Sequence, residues 1–223
     1  LAKTQYAMAA QDVRYYLNGL LLLVEGTELR AVATDGHRLA FASVAIETEL
    51  LRQEMILPRK TVLELNRLLV DTDDALNITL TSNQVRFAFG SVVLVSKLID
   101  GKFPDYEAVI PIGADKEVRV AREELRAALQ RAAILSNEKY RGVKLEVSPN
   151  RLRIVAHNPE QEEAVEDLEA RTGVAELSVG FNVNYLQDAL GALRGDEVLI
   201  CLRDGNSSCL MRATDSDQSR HVV

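Results

Sequence analysis

The feature that most constrains this chain is an internal repeat. Laying the segment that begins at Gly19 over the one that begins 123 residues later at Gly142 brings Leu22 onto Leu145, Val24 onto Val147, Leu29 onto Leu152 and Arg30 onto Arg153. The register continues through Val32 with Val155 and Ala33 with Ala156. Both stretches read as a hairpin, with an alternating strand, a turn at Glu25-Gly26-Thr27 or Ser148-Pro149-Asn150, and an alternating return strand. Further on, Ile56 meets Val179 and Leu63 meets Leu186 at the same offset, where a short strand runs into an apolar-periodic helix. After a one-residue slip Leu76, Ile78 and Leu80 fall on Val198, Ile200 and Leu202, ahead of turns at Ser82-Asn83 and Asp204-Gly205. Three matched elements in one order make duplication the economical account, so whatever fold one half adopts the other must adopt too.

Each copy reads helix, strand hairpin, further strand, helix, then an antiparallel meander. The helices are expected at 2–10, 59–69, 121–133 and 182–193, with Pro58 as a helix-start signal for the second. The fold class expected is therefore α+β, as tandem domains each with two helices packed on antiparallel sheets. The Pro-containing stretch Ile110-Pro111-Ile112-Gly113 places the domains at 1–112 and 113–223. Copy one opens inside its first helix, and copy two stops at Val222-Val223 where copy one continues through a strand to Asp100-Gly101-Lys102-Phe103-Pro104. Part of the natural protein is expected to lie outside this sequence.

Composition narrows the function classes. With 47% hydrophobic and 26% charged residues and a mean hydropathy of -0.04, the 223 residues suit a globular protein. The longest apolar run, Leu20 to Val24, is too short to cross a bilayer, and no secretory leader opens the chain, so no membrane partner and a cytoplasmic location are expected. Cys201 and Cys209 flank an Asp204-Gly205-Asn206 turn; a cross-strand disulfide is conceivable, and two free, half-buried thiols are the simpler expectation. His37, His157 and His221 show no ligand spacing, so neither a metal nor another cofactor is called for. An Asp35/His37 acid-base pair can be imagined, but no nucleophile elbow, phosphate loop, dinucleotide fingerprint or zinc signature accompanies it, and no enzyme is expected.

A net charge of -7 at first argues against a nucleic-acid partner. Its distribution argues otherwise. The four helix windows hold Lys3, Arg59, Lys60, Arg67, Arg122, Arg126, Arg131 and, just past the last, Arg194, against Glu64, Glu123, Glu124 and Asp188. That is a surplus of about +4, which leaves about -11 to the remainder. Helices of one sign could face phosphates while acidic strands face solvent. Such contact would be independent of base sequence, because no helix-turn-helix, zinc-finger or RNA-recognition signature is present.

Six strings, in order, carry a resemblance. They are Gln11-Asp12-Val13-Arg14-Tyr15-Tyr16-Leu17-Asn18-Gly19, Ala33-Thr34-Asp35-Gly36-His37-Arg38-Leu39-Ala40, Phe103-Pro104-Asp105-Tyr106, Ala133-Ile134-Leu135-Ser136-Asn137-Glu138-Lys139-Tyr140-Arg141-Gly142, Asn158-Pro159-Glu160-Gln161-Glu162-Glu163 and Gly180-Phe181-Asn182-Val183. Together they resemble the second and third domains of the bacterial DNA sliding clamp, the beta subunit of the replicative polymerase, over essentially the whole chain.

That resemblance implies a homodimeric ring of three-domain subunits around duplex DNA, with helices lining the hole and sheets outside. It implies a processivity factor whose partners are replicative and other DNA polymerases, the clamp loader, and mismatch-repair and related proteins that carry clamp-binding peptides. The peptide pocket it implies is lined by Leu17, Thr34, Gly36, His37, Arg38, Leu39, Pro104, Val109, Asn182, Tyr185, Val222 and Val223. Near the DNA it points to Gln11, Arg14, Tyr15, Tyr16, Arg59 and Lys60; at the subunit interface, to Ile134 and Leu135. Judged on chemistry alone, Leu17, Leu39 and Val109 read as core, His37 as a solvated loop histidine and the tyrosines as amphipathic rim residues. Two departures from the family stand out: its chain continues past the position of Val223, and Glu107-Ala108 puts no basic side chain beside Val109. Without the family's first domain, this segment is expected to be monomeric or weakly associated. A peptide-binding adaptor unrelated to DNA is the rival reading.

Overall fold

The computed structural model describes residues 1–69, 74–216 and 218–223. The chain forms two compact units, Leu1–Tyr106 and Glu107–Val223, so Ile110-Pro111-Ile112-Gly113 falls within the second.

In the first unit β1 (Gly19–Thr34) pairs antiparallel with β2 (Leu39–Pro58), and α1 (Arg59–Leu68) follows directly. β3 (Asn77–Leu80), β4 (Gln84–Phe89) and β5 (Val92–Lys97) make a three-stranded meander. Alternation decides which face of the meander is buried: Val85, Phe87 and Phe89 of β4 point inward while Gln84 and Arg86 stay exposed. These three side chains join Leu20 and Leu22 of β1, Met55 and Leu57 of β2, and Val62 and Leu65 of α1 in one apolar cluster. Leucines and valines three residues apart on α1 supply the helical half of that core.

In the second unit β6 (Lys116–Ala121) leads into α2 (Arg122–Ile134). β7 (Gly142–Ser148), β8 (Arg151–His157), β9 (Glu163–Glu169) and β10 (Leu177–Asn182) form a sheet in the order β10-β7-β8-β9. α3 (Val183–Ala192) follows, and β11 (Glu197–Leu202), β12 (Leu210–Ala213) and β13 (Ser219–Val222) lie in the order β6-β11-β12-β13. α2 packs on α3, β8 and β9, burying Leu125, Ala128, Leu129 and Ala132 beside Leu186, Ala189 and Leu190. The fold is α+β on antiparallel sheets, and three of the four expected helices stand within a residue of their expected ends.

The repeat is visible in strand register. Gly19 pairs with Pro58 and Gly142 with Asn182, so in both units a glycine at a strand start faces the residue immediately before a helix. Thr34 pairs with Leu39 across four loop residues, whereas His157 pairs with Glu163 across five. That extra loop residue moves the offset from 123 to 124, which corrects two of the expected pairings. Met55, the partner of Leu22, is the counterpart of Val179, the partner of Leu145. Likewise buried Val62, not Leu63 at 43% exposure, is the counterpart of buried Leu186.

Two local expectations are also corrected. Residues 2–10 do not form a helix; only Gln5–Ala7 makes a 3-10 turn. Ala7, Met8 and Ala9 are all buried, a run no single helix face can hide. The Ala9 N–H instead donates to the Leu17 carbonyl, committing the backbone to another segment. In the second unit the expected hairpin turn separates β7 from β8, with Asn150 at φ 60°. In the first, β1 runs on through Gly26 at φ 60° with register shifts on either side.

Candidate functional site

The residues from Thr34 to Leu39 form a turn that the Thr34–Leu39 strand pair closes and that side chains hold from within. The Thr34 hydroxyl donates to the Arg38 carbonyl at 2.7 Å and accepts the Gly36 N–H at 3.1 Å. Asp35 Oδ1 accepts the backbone N–H of His37 and of Arg38, and Oδ2 accepts Arg38 Nε at 3.1 Å. Arg38 also donates to the Tyr6 carbonyl at 3.0 Å and lies over the Tyr6 ring at 5.2 Å. Asp35 therefore spends its carboxylate on backbone and guanidinium donors, an arrangement that shapes the loop.

Gly36 sits at φ 89°, a conformation that favours glycine, and a Cβ there would meet the Arg14 guanidinium about 2.9 Å away. Arg14 is held flat in this position by a two-pronged pair with Asp12, Nε to Oδ1 at 3.0 Å and Nη2 to Oδ2 at 2.8 Å, and it donates to the Asp35 carbonyl at 3.3 Å. The hydrogen bonds from Arg14 pull Asp12 down to about 2. Leu17 and Leu39 beside this turn are 1% exposed, Thr34 is buried, and Gly36 and His37 are exposed. Apolar side chains thus lie beneath a polar, preorganised loop. Pro104 is half-buried between Phe103 and Tyr106, both buried. Tyr106 stacks on Phe41 at 6.0 Å and accepts a bond from Arg30 at 3.3 Å, which fixes the path of that segment.

The expected pocket residues of the second unit occupy different places in it. Val222 pairs with Leu210, and Val223 exchanges both backbone hydrogen bonds with Cys209. Cys209 and Cys201 are buried thiols joined in no disulfide, and burial pushes the Cys209 thiol up to about 12. Asn182 caps α3 by accepting the Asn184 N–H at 2.9 Å, and half-buried Tyr185 stands in that helix's first turn. Asn182 lines a groove of about 460 Å³ with Tyr140, His157 and Phe181. In the repeat Tyr140 and His157 stand where Leu17 and Thr34 stand in the first unit. Val109 is 49% exposed and Ile134 78% exposed, with Leu135 half-buried.

Among the residues expected near DNA, Gln11, Arg14, Tyr15 and Lys60 are exposed, and Tyr16 and Arg59 half-buried. The helix cations divide sharply in how their charge is used. Arg67 pairs with Glu64, Arg126 with Glu123, and Arg131 makes a two-pronged pair with Glu166 of β9. Arg122 pairs with Glu123 and donates to the carbonyls of Leu190, Leu193 and Gly195, closing the C-terminal end of α3. Arg59 donates to the Met8 carbonyl at 3.1 Å, a neutral acceptor. Among the described residues, Lys3, Arg59, Lys60 and Arg194 are the helix-window cations in no acidic pair that the structure records.

Outside the expected site residues, Asp12 and Tyr6 shape the Thr34–Leu39 turn from its flanks, and Asp35, which with Gly36 reads as a turn in the sequence, shapes it from within. The only signal was spacing: an Asp two before an arginine, and another just before a glycine that a turn requires.

Residues 1–105 match the family profile described as "DNA polymerase III beta subunit, central domain", and residues 107–223 that described as "DNA polymerase III beta subunit, C-terminal domain". The chain is 50% identical over 222 residues to the beta sliding clamp of Pseudomonas aeruginosa, covering 99% of the chain and 60% of that protein. It is 49% identical over 220 residues to the beta sliding clamp of Escherichia coli K12, again covering 99% and 60%. Among solved structures, the P. aeruginosa sliding clamp bound to griselimycin superposes with a TM-score of 0.96 at 50% identity, covering 99% of the chain and 60% of that one. The C. crescentus beta sliding clamp crystallised with PEG gives 0.94 at 37% identity, covering 100% and 60%. The chain thus spans about 60% of the length of the curated relatives it matches.

Proposed function

Since the chain belongs to the DNA polymerase III beta subunit family, the beta sliding clamps, we propose that it supplies the second and third domains of a ring that encircles duplex DNA and tethers partner proteins to it. The observation that carries this reading is the match of two consecutive compact units to two consecutive beta-subunit domains, end to end. The ring acts by topology rather than turnover. Lys3, Arg59, Lys60 and Arg194 supply sequence-independent attraction to phosphates, weak and screened enough to leave the ring free to slide. The paired cations Arg67, Arg122, Arg126 and Arg131 serve mainly to hold helices in place.

Leu17, Thr34, Gly36, His37, Arg38, Leu39 and Pro104, with Val109, Asn182, Tyr185, Val222 and Val223, are proposed to receive short hydrophobic peptides from replicative and other polymerases, the clamp loader and mismatch-repair proteins. The prefolded polar turn supports this for the first unit, since fixed polar groups orient the backbone of a peptide that meets them. Ile134 and Leu135, at the end of α2, are proposed to meet the other subunit.

The test is retention on circular DNA. The full-length protein, assembled on a nicked plasmid by its clamp loader and ATP, should stay bound in high salt and leave once a restriction enzyme linearises the plasmid. Loss from the closed circle at the same rate as from the linear form would refute the ring and favour an adaptor held by ordinary affinity.

A further inference from the structure

We propose that Asp12 is a positioning residue for the peptide site, an inference that rests on the peptide-binding reading above. Asp12 is itself fixed: its N–H donates to Asn18 Oδ1 at 2.8 Å, and its carbonyl accepts Asn18 Nδ2 at 2.8 Å. Its carboxylate takes the backbone N–H of Arg14 at 2.8 Å and both prongs of the Arg14 guanidinium. The guanidinium is thereby laid flat on Gly36, with Nη2 reaching the Asp35 carbonyl. On the far side Asp35 grips Arg38, which is tied to Tyr6. The turn is held from both flanks, and Asp12 is the outermost fixed point on one of them.

The geometry assigns different work to Asp12 and Arg14 than exposure alone suggests. An arginine already engaged in two directions is a poor free phosphate contact, but it is well placed to set where the His37 and Arg38 backbone stands. A peptide that hydrogen-bonds to that backbone then meets it already ordered, and the ordering cost falls on folding instead of on binding. Gly36 completes the arrangement, because any Cβ at that position would lift Arg14 off the turn.

The experiment compares wild type, Asp12→Asn and Asp12→Glu in the full-length protein. The probe is a fluorescein-labelled hydrophobic peptide taken from a bacterial replicative polymerase, read by anisotropy. Asn keeps the size but loses the charge-assisted fork, so affinity should fall by about threefold to fivefold, the upper range for an exposed ion pair. Glu can still fork and should recover affinity to within about twofold. Retention on circular DNA should match wild type in both variants, and the thermal midpoint of Asp12→Asn should fall by no more than about 4 °C. Wild-type affinity in Asp12→Asn would overturn the proposal, as would equal losses in Asn and Glu, which would mark general damage. A loss of DNA retention with peptide affinity intact would overturn it too, assigning the segment to DNA. Failure of the wild-type protein to bind the peptide would instead refute the peptide-site reading itself, and the proposal with it.

Discussion

Replacing Thr34 with valine removes one hydroxyl and keeps the branched shape that β1 requires. In the native turn that hydroxyl works twice, donating to the Arg38 carbonyl at 2.7 Å and accepting the Gly36 N–H at 3.1 Å. Thr34 is 8% exposed, so water cannot readily replace it from below. Leaving such a donor unpaired costs about 1–3 kcal/mol. At a midpoint of about 2 kcal/mol the turn opens about 30-fold more often, since about 1.4 kcal/mol is tenfold. Hydrogen exchange of the Gly36 amide, resolved by NMR, should accelerate by about that factor, while amides in the middle of β4 keep their rates. Thr34→Ser, which retains both bonds, should stay within about threefold of wild type. Gly36 exchange unchanged in Thr34→Val, or slowed protection equally lost in Thr34→Ser, would refute the hydrogen-bonded turn as the source of order.

Three further outcomes follow from the same structure. Val62→Asp, at a fully buried site on α1, should cost more than about 4 kcal/mol and unfold the first unit, whereas Leu63→Asp at 43% exposure should stay within about 1 kcal/mol in chemical denaturation; equal losses would contradict the corrected repeat register. Lys60→Ala should lower the salt slope of duplex binding by about 1, and Arg131→Ala, whose charge is met by the two-pronged pair with Glu166, by clearly less; equal slopes would show that pairing does not divide these cations. Asp12, Asp167 and Asp204 are each held down to about 2 by hydrogen bonds, to Arg14, to Arg151 and Arg153, and to Ser207, Asn206 and Arg203 respectively. Because the folded value is depressed, their contribution is complete above about 3.8 and disappears as pH falls toward 2, so unfolding free energy should be insensitive to these groups from pH 5 to 8 and decline below pH 4; no change in the acid limb when all three are amidated would contradict this.

Much of the fold was legible because duplication doubles the signal: the strands that begin at Gly19 and Gly142 and the helices from Arg59 and Val183 share buried positions, Leu22 with Leu145 and Val62 with Leu186. Two features were hidden for physical reasons. The one-residue difference between the Thr34–Leu39 and His157–Glu163 loops leaves no apolar trace, because those loops carry turn residues, yet it displaces everything after them. Residues 2–10 have the composition of a helix, and only the buried run Ala7-Met8-Ala9 and the bond from Ala9 to Leu17 explain why they are not one. The site was legible as a set of strings but not as a mechanism. Counting charge showed the helix surplus; it could not show that Glu166, distant in sequence, consumes Arg131, or that Asp12 reaches Gly36 through Arg14.

Lysine footprinting tests the proposal that helical faces, not sheets, meet the duplex. The full-length protein would be methylated on closed circular DNA and free in solution, and read by mass spectrometry. Lys60 at the start of α1 should be protected on DNA, while Lys97 of β5 and Lys144 of β7 react equally in both states. Protection of Lys97 or Lys144 with Lys60 left reactive would contradict it.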